Sequence, residues 1–177
     1  ERILVKVEPN TRDLSTKYKR VDANLFNKLI DSAEYYKKKD TGFDRMHTVG
    51  AVHLKRGVEI GALCTIDAGV SAMTEIGEGT KIDNQVHIAH NVILGKNSAI
   101  AASCAIAGST VIGKNLQMGG LSGILGHLKI CDNVLIGAHT LITKNITDPG
   151  DYVGIMPAQE KKDWAKSSVF IKKRNDK

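Results

Sequence analysis

Between residues 46 and 147 this 177-residue chain has no phenylalanine, tyrosine or tryptophan and no proline. The aromatic residues lie at the ends: Tyr18, Phe26, Tyr35, Tyr36 and Phe43 before the gap, Tyr152, Trp164 and Phe170 after it. Such a middle excludes an ordinary mixed core of Leu, Phe and Trp. Cysteine is scarce as well. Cys64, Cys104 and Cys131 include no close pair, which excludes a disulfide framework and a CxxC metal or redox motif and leads us to expect a reduced, cytoplasmic protein. No apolar run approaches eighteen residues, so a membrane-spanning helix is not expected, and nothing at the start reads as a signal peptide. Phosphate loops and nucleic-acid motifs are absent. The net charge of +6 is unevenly placed: residues 46–147 are nearly neutral, and both ends are basic.

What fills the middle is a repeat. From Ile76 an apolar residue recurs every sixth position: Ile76, Ile82, Ile88, Leu94, Ile100, Ile106, Ile112, Met118, Ile124, Ile130, Ile136 and Ile142. A small or turn-forming residue usually follows, as at Gly77, Asp83, Ala89 and Gly95. Four positions after most of them comes a small or β-branched residue, among them Thr80, Val86, Ser98, Cys104 and Thr140. A helix repeats near 3.6 and a strand near 2, so neither produces a six. One short strand plus one corner does. Three such units close a triangular coil of 18 residues, and stacked coils make a parallel β-helix around a narrow aliphatic column that has little room for rings. Leu54, Ile60 and Ile66 keep the step and add about one coil. The interval from Ile66 to Ile76 is ten, so about four extra residues around Ala68 to Met73 are expected to loop outwards, and such loops often carry function.

Six histidines occur, at 47, 53, 87, 90, 127 and 139. Residues 18 apart share a face on adjacent coils, and His90 to His127 is two coils plus one position. Both therefore belong near one exterior edge, with His87 close by but facing differently. A neutral imidazole can take a proton from an amine or hydroxyl that attacks a thioester. The resulting oxyanion needs donors, and backbone N–H groups at glycine are accessible; Gly108 lies one coil beyond His90, and Gly126 lies next to His127. The serines form no nucleophile elbow. A zinc site of the kind that the carbonic anhydrases of this fold carry requires a second histidine five residues after the first. Here Val92 follows His87 and Gly95 follows His90, and no metal is expected.

Two stretches are more specific than hexapeptides. Ile82-Asp83-Asn84-Gln85-Val86-His87-Ile88-Ala89-His90-Asn91-Val92 and Gly123-Ile124-Leu125-Gly126-His127-Leu128-Lys129-Ile130 resemble the UDP-3-O-(3-hydroxyacyl)glucosamine N-acyltransferases of lipid A biosynthesis, a branch of the left-handed β-helix hexapeptide acyltransferases. Thr65-Ile66-Asp67-Ala68-Gly69 matches that pattern too. So do Pro149-Gly150, Gly154-Ile155-Met156-Pro157-Ala158-Gln159 and Trp164, at that family's exit from the prism into C-terminal helices. The resemblance runs from about residue 49 to 172.

The resemblance implies a mainly β fold in three parts: an N-terminal strand-helix segment over 1–45, a left-handed parallel β-helix over 46–147 and a C-terminal helical extension over 148–177. It implies His90 as catalytic base, His127 as a second active-site histidine and Gly108 at the oxyanion position. Asp83 and Asn84 match a motif beside the acceptor site, and His87, Met118 and Leu141 are taken as further substrate-binding positions. The implied partners are a UDP-sugar acceptor, further copies of the chain in a homotrimer with sites between prisms, and an acyl carrier protein. That carrier presents the acyl group on its 4'-phosphopantetheine, and no resident cofactor is implied. Because it is acidic, Lys161, Lys162, Lys166, Lys172, Lys173 and Arg174 are expected to attract it.

Only about 45 residues precede the prism, whereas the family has a uridine-binding domain of about a hundred. Ile3 to Val7 reads as a strand, and Asp22 as the cap of a helix carrying Leu25, Phe26, Leu29, Ile30 and Ala33. With Glu1 rather than Met at the start, this leaves two expectations: a clipped member of the family or a paralogue with another acceptor. Two rival functions remain open, an acetyl-CoA-dependent amino-sugar N-acetyltransferase and a catalytically inactive β-helix scaffold. A long apolar channel near Met118, Leu121 and Leu141 would favour a fatty chain, and a blocked one acetyl.

Overall fold

In a computed structural model, residues 5–7, 36–39, 42–45, 49–154, 158, 160–164 and 166 are described. They form a left-handed parallel β-helix, a three-sided prism. Face I stacks Val5–Val7, Val52–Leu54, Thr74–Ile76, Ile93–Leu94, Val111–Ile112 and Lys129–Ile130. Face II stacks Glu59–Ile60, Lys81–Ile82, Ala99–Ile100, Gln117–Met118, Val134–Ile136 and Gly150–Tyr152. Face III stacks Thr65–Ile66, His87–Ile88, Ala105–Ile106, Gly123–Ile124 and Leu141–Ile142. The chain visits I, II and III in turn, so from Thr74 to Ile142 each strand residue pairs with the one 18 later, as Ile88 with Ile106 and Ile106 with Ile124.

All twelve residues of the six-step series point inwards, none more than 7% exposed. The small position four residues on is a second inward site: Thr80, Val86, Val92, Ser98, Cys104, Thr110, Ser122, Val134 and Thr140 are all buried. Hydroxyls are tolerated there because they bond to corner carbonyls, as Ser98 Oγ does to Gly95 and Thr110 Oγ1 to Leu125, both at 3.0 Å. Between these two sites the chain turns in the left-handed conformation. The turn residue recurs every six positions, and side chains such as Asn91, Ser109, Leu121 and His127 adopt φ near +60° there. Asn and Ser suit that region; Leu does not, and the coil imposes it.

Cys64 and Cys104 are both buried at the small inward position, whereas Cys131 is half-buried at a corner. Burial raises the Cys64 thiol above the ordinary range, although hydrogen bonding from the backbone of Val86, Gln85 and Gly61 opposes this. Less thiolate forms at a given pH. Iodoacetamide at pH 8 is therefore expected to label Cys131 well before Cys64 or Cys104, and peptide mapping of the native protein against time checks this order.

The expected N-terminal strand is present as Val5–Val7, which lies parallel on Val52–Leu54 and so extends face I. An antiparallel hairpin, Tyr36–Lys39 with Gly42–Arg45, was not foreseen. The helix expected from Asp22 through Ala33 lies outside the described residues. At the C-terminal end one short helical stretch covers 161–164. Among the described residues no helix is long and apolar enough to cross a membrane.

Candidate active site

The corner between faces III and I carries both histidines that the sequence singles out, His90 and His127. His90 stacks beneath Gly108 and Gly126, while His127 stacks above Ser109 and Asn91, because it falls one position later in its coil. Two coils separate the imidazoles, about 10 Å at the usual strand spacing. The spacing argument had placed them on one edge, and the coordinates do the same.

Gly108 is open because His90 occupies its side-chain space. A Cβ built on Gly108 would lie 2.6 Å from His90 Nε2 and 2.7 Å from Cε1. The ring thus extends up the corner, directly against the next coil. Corner bonds are made by the flanking residues, Ala107 N–H to Ile124 and Ser109 N–H to His90, both at 2.9 Å. Among the described residues no backbone carbonyl takes the Gly108 N–H. That donor and the imidazole nitrogen therefore belong to one small volume.

The ring orientation of His90 is fixed by a residue that sequence reasoning passed over. Asn91 Oδ1 lies 3.0 Å from His90 Nδ1 and also accepts the Val70 N–H at 3.1 Å. An N–H can only donate, so the atom facing Val70 is the amide oxygen, and His90 Nδ1 carries the proton. Nε2, against Gly108, is then the basic nitrogen. Asn91 is held in turn by its own N–H, which donates to Thr74 Oγ1 at 2.8 Å. Val70 belongs to the extra residues between Ile66 and Ile76, so the insertion that breaks the six-step rhythm is what aligns the histidine. The signal available in the sequence was the coincidence of that ten-residue interval with an asparagine following His90.

Asp83 and Asn84 lie one side of the prism away, at the corner between faces II and III. The path from Asp83 to His90 is seven residues, roughly 20 Å of extended chain. Asp83 Oδ1 accepts the Asn84 N–H at 2.7 Å, and Asn84 Oδ1 accepts the Ala62 N–H at 2.7 Å. A groove of about 1110 Å³ runs along face II beside this corner, with Lys81, Ala99, Gln117 and Leu135 on its floor. Its lower end is charged, where Lys81 Nζ lies 2.6 Å from Glu59 Oε1. One chain therefore does not bring Asp83 and Asn84 to the imidazoles.

His87 and Leu141 both face outwards on face III, in one column with Thr65, Ala105 and Gly123. Leu141 is 57% exposed and overhangs Gly123. Met118 is different: its side chain fills the interior column at 3% exposure, so it offers the exterior backbone and no thioether. The inward clock that identified it also removes it from a surface channel. Leu121 is exposed, at the corner between faces II and III. Lys161, Lys162 and Lys166 are exposed, and Lys166 Nζ is paired with Asp163 at 3.1 Å. Lys172, Lys173 and Arg174 lie outside the described residues. No cluster of three metal-ligating side chains occurs among the described residues.

Comparison with known proteins finds the same repeat architecture. The bacterial transferase hexapeptide family (six repeats) matches residues 73–108. The UDP-3-O-acylglucosamine N-acyltransferase of Bordetella avium is 46% identical over 123 residues, 70% of this chain and 34% of the relative. That of Pseudomonas syringae pv. tomato is 44% identical over 128 residues, 72% of this chain and 36% of the relative. The chain thus spans about a third of the length of these curated relatives. Among solved structures, LpxA from Acinetobacter baumannii superposes with a TM-score of 0.57 at 27% identity, covering 60% of this chain and 42% of that one.

Proposed function

We propose that this chain, which belongs to the hexapeptide-repeat transferases, transfers an acyl group from a thioester to the amine of a UDP-linked 3-O-acylglucosamine. The observation that carries the reading is the His90–Gly108 pair, a basic nitrogen with its tautomer fixed by Asn91 beside a backbone donor that no backbone carbonyl among the described residues takes. His90 Nε2 accepts a proton from the attacking amine as the nitrogen bonds to the thioester carbon. The carbonyl oxygen becomes an oxyanion, which the Gly108 N–H stabilises. Collapse of the tetrahedral species breaks the C–S bond, and the thiolate leaves and is protonated. His127, two coils up the same corner, positions donor or acceptor.

The donor in this reading is a 3-hydroxyacyl chain on the phosphopantetheine of acyl carrier protein, and the setting is lipid A biosynthesis. Exposed Lys161 and Lys162 supply positive charge for an acidic carrier. Leu141 meets the acyl chain along face III. Asp83 and Asn84 contact the acceptor, and their distance from His90 within one chain favours a homotrimer in which a neighbouring prism brings them to the histidine corner.

The test is direct. The protein is incubated with 3-hydroxyacyl carrier protein and UDP-3-O-acylglucosamine, beside a His90→Ala control, and the N-acylated product is sought by mass spectrometry. Product from the parent chain, falling at least 100-fold in the variant, is the expected result for a general base. Product formed equally by both would remove His90 as the base. Product formed only from acetyl-CoA and another amino sugar would replace the substrate pair, and none from any donor would leave the scaffold reading.

A further inference from the structure

Beside the His90 corner, on face III, His87 and two side chains of the coil below, Thr65 and Asp67, are unused by this mechanism and lie in line. Thr65 and His87 are direct neighbours on adjacent parallel strands, and Thr65 Oγ1 lies 2.7 Å from His87 Nδ1. Across the ring, Asp67 Oδ2 lies 3.8 Å from Nε2. The Asp67 side chain is 9% exposed and that of His87 47%, so the carboxylate is set into the wall while the imidazole edge meets solvent. The Asp67 N–H bonds to the Ile88 carbonyl at 2.9 Å, which anchors the carboxylate between the columns of His87 and His90.

The order of donors follows from chemistry. At 3.8 Å the carboxylate is too far to accept a hydrogen bond, but its negative charge favours the tautomer with the proton on the nitrogen facing it, and the lone pair of the neutral ring then falls on Nδ1. Thr65 is then the donor in the 2.7 Å bond, and its remaining lone pairs face away from the ring. The other tautomer would reverse Thr65 and present its O–H instead. We propose that Asp67 is a positioning residue that, through the tautomer of His87, sets the Thr65 hydroxyl as a hydrogen-bond acceptor for a hydroxyl group of the acceptor sugar. The sugar contact rests on the acyl-transfer reading above; the tautomer control does not.

Two measurements on the full chain test this. Long-range 15N–1H correlation spectra near pH 8, where an ordinary imidazole is neutral, are expected to show His87 protonated at Nε2, and Asp67→Asn is expected to shift it to Nδ1 or to a mixture. In steady-state assays Asp67→Asn and Thr65→Val are each expected to raise the KM for UDP-3-O-acylglucosamine about tenfold, the loss of one net hydrogen bond, with kcat within twofold. His90→Ala loses kcat instead. Unchanged spectra in Asp67→Asn would overturn the proposal, as would an unchanged acceptor KM in an active Thr65→Val enzyme. If the parent chain does not turn over this acceptor, the acyl-transfer reading fails, and the spectra still decide whether Asp67 controls His87.

Discussion

Gly108→Ala is expected to abolish acyl transfer as fully as His90→Ala does, while moving the melting temperature by no more than a few degrees. The new methyl group would lie 2.6 Å from His90 Nε2, well inside contact distance. What it meets is a side-chain ring, so the imidazole turns aside and the backbone stays. Gly108 has none of the left-handed φ that would itself penalise alanine; only Gly57, Gly79 and Gly150 have positive φ among the described glycines. Turning the ring separates Nε2 from the Gly108 N–H and breaks the bond from Nδ1 to Asn91. Base and oxyanion donor then no longer act on one reacting centre, and misplacing either is as costly as removing one such donor, about 100- to 1,000-fold in kcat. Gly120→Ala is the matched control. It occupies the equivalent corner position on another edge, and its nearest neighbour would be the Ala102 carbonyl oxygen at 3.4 Å. Measurements of kcat/KM and thermal melts on the three variants separate the cases. Full activity in Gly108→Ala would mean that the ring position seen here is not the working one.

The sequence made this corner legible because the coil maps linear spacing onto space. With a period of 18, the columns His90–Gly108–Gly126 and Asn91–Ser109–His127 could be written down before any coordinate, and so could the inward series. Below the insertion the arithmetic changes. Thr65 faces His87 and Val52 faces Thr74, at a separation of 22. The four extra residues do not only bulge outwards: Ala68 and Gly69 are buried, and Val70 turns back to Asn91. A period cannot place residues that break it, which is why the Asp67–His87 and Val70–Asn91 contacts stayed hidden, although Asp67, His87 and Asn91 stand in the motifs and Val70 falls within the extra residues. Met118 fails for the opposite reason. It was read both as an interior residue and as a channel residue, and a side chain on a solid prism can be only one of these. The Asp83–Asn84 motif is close to His90 in sequence but a whole face away in space, a separation that spacing alone could have given.

Ile106→Asp is expected to leave no cooperative melt at all. Ile106 is fully buried and packs between Ile88 below and Ile124 above. Losing the aliphatic side chain removes about 2–3 kcal/mol of burial. A carboxylate there has Ile88 and Ile124 directly below and above it, the nearby Thr110 hydroxyl is already bonded to a corner carbonyl, and burying the charge unpaired adds several kcal/mol more. Together these rival the entire stability of about 5–15 kcal/mol typical of a domain. The position compounds the effect. A β-helix is stabilised by nearest-neighbour contacts between coils, so a defect at a middle coil uncouples the coils on either side of it, and each remaining piece is too short to hold its own column. Ile106→Val, which only trims one methylene, is expected to cost about 1 kcal/mol and to keep a single transition. Circular dichroism melts of both variants decide the matter: an unchanged curve for Ile106→Asp would mean that the column is not what holds the prism together, whereas loss of the transition there with a small shift for valine ties the stability of the whole stack to the six-residue series.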